Sequence, residues 1–108
     1  MIFIASPYSH PEAEVRHLRF LSALRYANSL IARGRPAFSA IAYGHPFAVE
    51  LEAPTNFHHW RDFNHHMIDV AREVHVLLLY GWEDSQGVAD EIAYAMGNNR
   101  PVTYINVE

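Results

Sequence analysis

The stretch that decides the fold is Val74-His75-Val76-Leu77-Leu78-Leu79-Tyr80-Gly81-Trp82-Glu83-Asp84-Ser85-Gln86-Gly87. Val74 to Leu79 is a short, almost unbroken apolar run, the pattern of a strand covered on both faces. Tyr80 to Asp84 is the loop that follows. Ser85 then offers a hydroxyl to cap a helix running from Gln86 to about Met96, which Gly97-Asn98-Asn99 ends. A strand that passes through a loop directly into a capped helix is half of a βαβ unit.

Outward from this stretch the alternation repeats. Ile2 to Ala5 is another short apolar run, stopped by Ser6-Pro7. A long helix is expected from Pro11 to about Arg33, with Leu18, Leu21, Leu24, Ala27, Leu30 and Ile31 at three- and four-residue spacing and Gly34 past its end. Pro36 to Ser39 reads as a second short strand. Residues 40 to 55 read as loop, because Gly44, His45, Pro46 and Pro54 interrupt them. Thr55 or Asn56 then caps a helix to about Arg72, and Pro101 to Val107 reads as the last strand. Alternating strands and helices imply parallel pairing through right-handed crossovers. The expected fold is a single α/β domain over residues 1–108, a three-layer, open, mostly parallel sheet of flavodoxin or Rossmann type. Ligands of such sheets bind outside the carboxyl ends of the strands. That rule brings together Ser6 to His10, Ala40 to Pro46 and Tyr80 to Gly87 before any motif is invoked.

A chain of 108 residues with 50% apolar and 19% charged residues builds one modest core and no second one. The formal charge of −4 gives no basic footprint for a nucleic-acid polymer. With no cysteine, disulfide scaffolds and thiolate metal sites are excluded. No apolar run approaches the ~20 residues of a membrane span, and the apolar start lacks the basic flank of a signal peptide. A soluble, cytoplasmic protein is the expectation.

The chemistry expected of the crevice centres on Ser85 to Glu91. Ser85 caps the helix, Gly87 lets a ligand approach the backbone, and the free amides with the helix dipole favour a phosphate or carboxylate. An ordinary solvent-facing cap is the plainer alternative. Val88, Ile92 and Ala95 mark the buried stripe of this helix. Glu91 lies on the flank of that stripe, facing the crevice, and Asp90 is expected to point to solvent. On the preceding helix Phe57, Trp60, Met67 and Ala71 define the apolar face, and Asn64 falls in its middle. An inward amide without partners costs ~1–3 kcal/mol, so Asn64 is either a structural hub or a ligand contact. His58, Asp62, His65 and Asp69 form a stripe on the opposite side. It matches no compact zinc signature and is read as a solvated face, with no metal and no cofactor. No Gly-x-Gly-x-x-Gly follows the first strand, which disfavours a dinucleotide fingerprint.

Three segments carry a family resemblance. They are Ile2-Phe3-Ile4-Ala5-Ser6-Pro7-Tyr8-Ser9-His10-Pro11, the pair His45-Pro46, and Gly81-Trp82-Glu83-x-Ser85-x-Gly87-x-x-x-Glu91. Over nearly its whole length the chain resembles the nucleoside 2-deoxyribosyltransferase-like superfamily, in particular its small phage and bacterial members. The resemblance implies N-glycosidic chemistry, in which Glu91 attacks the anomeric carbon and a covalent glycosyl–enzyme ester forms and is then resolved. Relatives acting on nucleoside 5′-monophosphates carry a serine at the position of Ser85, where those using free nucleosides carry Asp, so a nucleotide substrate is implied. The same resemblance implies a homo-oligomer. Two residues depart from the family pattern. Phe3 stands where a Tyr usually touches the catalytic Glu, and Asn64 stands where an inward Asp handles the leaving base.

The expectation is therefore a glycosidase of (2′-deoxy)nucleoside 5′-monophosphates. Glu91 and Asn64 would be catalytic, and Ser6, Tyr8, His45, Trp82, Ser85 and Gly87 would bind the substrate. A deoxyribosyltransferase acting on a nucleoside or nucleotide is one alternative. The other is a noncatalytic nucleotide-binding module, which the departures at Phe3 and Asn64 also fit.

Overall fold

The computed structural model describes residues 1–107. Its elements run β1 (Ile2–Ala5), α1 (Ala13–Ala32), β2 (Ala37–Ser39), α2 (Ala40–Leu51), α3 (Phe57–Val70), β3 (Glu73–Leu77), a 3-10 turn (Trp82–Asp84), α4 (Gln86–Gly97) and β4 (Val102–Ile105). The strands form one all-parallel sheet in the order β2-β1-β3-β4. It is the expected three-layer α/β fold. Chain order reverses between β1 and β3, so the crevice at the topological switch point opens above Ala5 and Leu77.

The period of two along each strand divides the core into two layers. Ile2 and Ile4 join Leu77 and Leu79 against Ala23, Ala27 and Leu30 of α1. Phe3 and Ala5 join Val74 and Val76 against Ile68 and Ala71 of the α3 side and Val88 and Ala95 of α4. All four residues of β1 are buried, which is why its apolar run is unbroken. Phe3 is wholly enclosed and packs its ring against Phe38, with centroids 6.1 Å apart.

Residues 40 to 51 correct the expectation of a loop: they form α2. Ser39 caps it, its hydroxyl accepting from the Ala42 amide at 3.0 Å. Pro46 sits inside the helix, where its ring removes only the hydrogen bond that would reach back to Ala42. Gly44 lies against Trp60, where even a Cβ would make ordinary contact with the indole at 3.5 Å. Tyr43 and Phe63 stack at 5.7 Å with nearly parallel rings, and Phe47 lies 5.9 Å from Trp60, so aromatic side chains hold α2 to α3. Two residues that break helices in isolation are thus outweighed by a good cap and an aromatic interface. The helix ends where Glu52 takes a left-handed conformation and the Ala53 amide bonds back to Phe47 at 3.2 Å.

The polar stripe of α3 also differs from expectation. His65 is nearly buried, donates to Asp90 at 2.7 Å and stacks on Tyr94 with centroids 3.8 Å apart. Asp69 accepts from the Tyr94 hydroxyl at 2.8 Å. Asp90 therefore faces α3, where Arg61 also reaches it at 3.1 Å, instead of pointing to solvent. The helix pair closes with a polar seam on the far side of the apolar one, because α3 and α4 contact each other across more than the stripe that meets the sheet.

Candidate functional site

Outside the carboxyl ends of β1 and β3 lies a cavity of about 530 Å³, a size usual for small-molecule sites. Three segments converge on it as the fold rule requires: Ser6 to His10, the first turns of α2, and Tyr80 to Gly87. Of the residues singled out from the sequence, Ser6, Tyr8, His45, Asn64, Ser85, Gly87 and Glu91 all line it. Trp82 does not. The 3-10 turn rotates the indole toward the sheet, where it meets Tyr104 with centroids 5.7 Å apart and packs on the core.

Glu91 forms the buried floor. It lies on the buried stripe of α4 with Val88 and Ala95, not on its flank, and is only 7% exposed. Asn64, from the middle of α3, donates its Nδ2 to Glu91 Oε2 at 3.0 Å. Burial pushes the Glu91 carboxyl up to about 8; the Asn64 hydrogen bond opposes the rise and the negative Asp90 next to it adds to it. A carboxyl held this way exchanges its proton near neutral pH, as groups at reactive sites do.

Two further polar atoms lie where the core meets the cavity. Among the described residues Ser6 Oγ and Asn64 Oδ1 have no hydrogen-bond partner; both atoms are themselves enclosed, although their residues line the cavity. Leaving such groups unpaired costs ~1–3 kcal/mol each.

The rim supplies donors. Ser85 Oγ accepts from the Val88 amide at 3.2 Å, and the first intrahelical bond runs from Ala89 to Ser85. The amides of Gln86 and Gly87 are left as the open donors of the helix end. Arg19 of α1 sits across from them. It donates to the carbonyls of Ser9 and Tyr80 at 2.9 Å each, tying the first loop to the third, and has no carboxylate partner among the described residues. Asp84 is the one other acid on this wall besides Glu91 and is exposed. Gly81 makes the Arg19 bridge possible. Its φ is +86°, and a Cβ there would lie 2.9 Å from the guanidinium. Gly81→Ala is therefore expected to lower stability by ~1–2 kcal/mol through backbone strain alone. Denaturant unfolding of the two proteins at equal m-value checks this.

The opposite wall is aromatic. Tyr8 donates its hydroxyl to His45 Nδ1 at 2.7 Å. Burial raises the Tyr8 hydroxyl and lowers the His45 imidazole, with Arg16 and His17 adding to the effect on the latter. The pair is thus a neutral phenol on a neutral imidazole. Phe20 stacks on His45 at 4.2 Å. Phe57, His58 and Trp60 complete this side from the first turn of α3. Sequence reasoning placed Phe57 and Trp60 in the core and missed their place in the cavity wall, and it missed Arg19 altogether. The signal available for the first two was the Asn56 cap: its side chain accepts from the His59 amide at 2.9 Å, which fixes the α3 end at the crevice.

A family model described as a domain of unknown function (DUF1937) matches residues 1–107. No curated protein matches the chain.

Proposed function

The chain belongs to the DUF1937 family along residues 1–107, a description that carries no activity, and from the site's own chemistry we propose that it is an N-glycosidase of (2′-deoxy)nucleoside 5′-monophosphates. The observation that carries this reading is the Glu91–Asn64 pair, a buried carboxyl on the floor of a polar-tipped cavity, one helical turn from the open amides of Gln86 and Gly87. The likeness of the Ser85 to Glu91 segment to nucleoside 2-deoxyribosyltransferase-like proteins points the same way.

In this reading the phosphate rests on the amides of Gln86 and Gly87, Ser85 and the Arg19 guanidinium. The base lies against Phe57 and Trp60, and Tyr8 and His45 line the remaining wall. Glu91, ionised, attacks C1′ as the bond from C1′ to the base nitrogen breaks. The base leaves with the electron pair and takes a proton from water or from a hydroxyl of the wall. Water then cleaves the glycosyl ester, returning the Glu91 carboxylate and releasing the sugar phosphate. Asn64 has no proton to give, and its role is to hold one Glu91 oxygen.

The test is chromatographic detection of free base from a panel of nucleoside and deoxynucleoside 5′-monophosphates, beside Glu91→Gln. Base release by the parent and none by the variant supports the reading. A new nucleoside or nucleotide on adding an acceptor base would make it a transferase. The pH profile has a defined sign as well. A nucleophile must be ionised, so kcat/KM should rise about tenfold per pH unit below about 8 and level out above it. A rate that instead falls above that pH would make Glu91 an acid and not the nucleophile.

A noncatalytic nucleotide-binding module is the second reading. Its support is the amide at Asn64, which leaves the Glu91 partner without a proton to donate. It expects nucleotide binding that survives Glu91→Gln and no base released. Assembly into a homo-oligomer is proposed with either reading. Tyr43 and Phe63, 47% and 37% exposed beside each other, are the apolar surface for it, and a monomer by light scattering would count against it. No helix among the described residues is long and apolar enough to cross a membrane. A cytoplasmic place of action belongs to the same proposal.

A further inference from the structure

The cavity does not end at Tyr8 and His45. Behind that pair a second, more open groove holds about 740 Å³, and the two share Tyr8, Ser9, His10, His45 and Thr55 as common lining. They form one trench with the Tyr8–His45 hydrogen bond as a sill between its halves. Each half alone is large enough for a small molecule by the usual range of ~300–1,000 Å³.

Charge is distributed along this trench in an ordered way. Arg19 stands in the first half and Arg16, one turn earlier on α1, in the second. Arg16 donates to the carbonyls of His10 and Pro11 and, like Arg19, has no carboxylate partner among the described residues. Its charge bears on both Tyr8 and His45, which places it against the sill. Two guanidiniums without carboxylate partners among the described residues, held under one loop, favour an anion along that loop although the net charge is −4. The groove is also lined by Ala48, Val49 and Ala53 and by Glu52, which is exposed. A side-chain carboxylate repels a further phosphate and accepts from hydroxyl or amino groups.

We propose that the ligand is larger than a mononucleotide: a nucleoside 5′-pyrophosphate joined to a second hydroxyl-bearing group, as in a dinucleotide. The phosphates lie between Arg19 and Arg16, and the second group rests in the outer groove with its hydroxyls on Glu52. This rests on the nucleotide reading of the first cavity and extends it. Ligands of this class need no glycine fingerprint here, since the cations and the α4 amides replace the backbone turn that such a fingerprint supplies.

The test is calorimetric titration in the Glu91→Gln background, so that base release consumes no ligand. The probes are the 5′-monophosphates of adenosine, guanosine, cytidine and uridine, each beside its symmetrical dinucleoside 5′,5′-diphosphate. The expected result is that one dinucleoside diphosphate binds at least tenfold tighter than its monophosphate. Arg16→Ala should remove most of that advantage, and Val49→Trp, a change at an exposed wall position, should remove it by filling the groove. Both should leave monophosphate affinity within about twofold. Equal affinity for the two ligand classes, or a dinucleotide advantage that survives both variants, overturns the proposal while the first cavity keeps its nucleotide. No binding of any probe to a folded protein overturns the nucleotide reading and this extension together.

Discussion

Glu91→Gln should unfold at a higher temperature than the parent protein at pH 7 and release no base. The reason lies in where the carboxyl is held. Unfolded, Glu91 has its ordinary value of 4.5; folded, burial places it at about 8. Between those values the folded chain keeps a proton that the unfolded chain has released. The parent's stability from this group is therefore complete below about pH 4.5, declines as pH rises, and reaches its lowest level above about 8. The accumulated cost is roughly 3 kcal/mol at pH 7 and approaches ~5 kcal/mol above pH 8. Glutamine is the neutral shape of the same side chain and keeps an oxygen for the Asn64 amide. It escapes the loss, so the variant should gain about 10 °C or more at pH 8, and close to nothing at pH 4. Thermal unfolding at the two pH values reads this directly, and an equal difference at both would sink it. The activity side is as large, since removal of a nucleophile lowers kcat by roughly 10³-fold or more. A gain in stability joined to a loss of turnover is the signature of a residue kept for chemistry at the expense of the fold.

The second large effect is expected from Asn64→Asp. It sets a second carboxyl at the position that now donates to Glu91 at 3.0 Å, in a site where both residues are more than nine-tenths buried. Two carboxyls so placed share one proton and lose the second only at high pH. Near pH 5 the pair should be protonated enough to fold almost as the parent does. At pH 9 the variant should lose ~3 kcal/mol or more relative to the parent, because both charges must then be buried together. Urea unfolding at the two pH values measures the difference. The same variant separates the two functional readings. If departure of the base is slowed by want of a proton, the shared proton should raise kcat on nucleotides below about pH 7. If the protein binds without cleaving, Asn64→Asp should weaken nucleotide binding and release no base.

The architecture was legible in this sequence because its strands are buried on both faces and announce themselves as apolar runs, β1 and β3 above all. Glu91 was legible as a crevice residue from the stripe of Val88, Ile92 and Ala95 beside it, but a carboxylate reads as belonging to the flank of such a stripe and here it lies on the stripe itself. What was hidden depended on partners distant in sequence. Gly44 and Pro46 read as helix breakers until Trp60 and Ser39 are seen to hold α2 together. Asp90 and His65 read as solvated until each is seen to face the other across two helices. Trp82 read as a ligand contact because its neighbours are; one 3-10 turn sends it to Tyr104 instead. Arg16 and Arg19 look like any exposed helix face, and only the loop folded over them shows that they stand in the trench wall.

The parallel run of all four strands also fixes how the molecule presents itself to a surface. Met1 stands at the amino end of the central strand, its carbonyl accepting from Arg72 at 2.8 Å, on the end of the sheet away from the trench. The last strand, β4, rises toward the trench end, so residues 106 and 107 emerge on the same side as the opening. A molecule tethered to a sensor chip or fused to a partner through its first residue turns the trench outward. One tethered through residues 106 and 107 carries the linker on the end of the sheet that bears the trench.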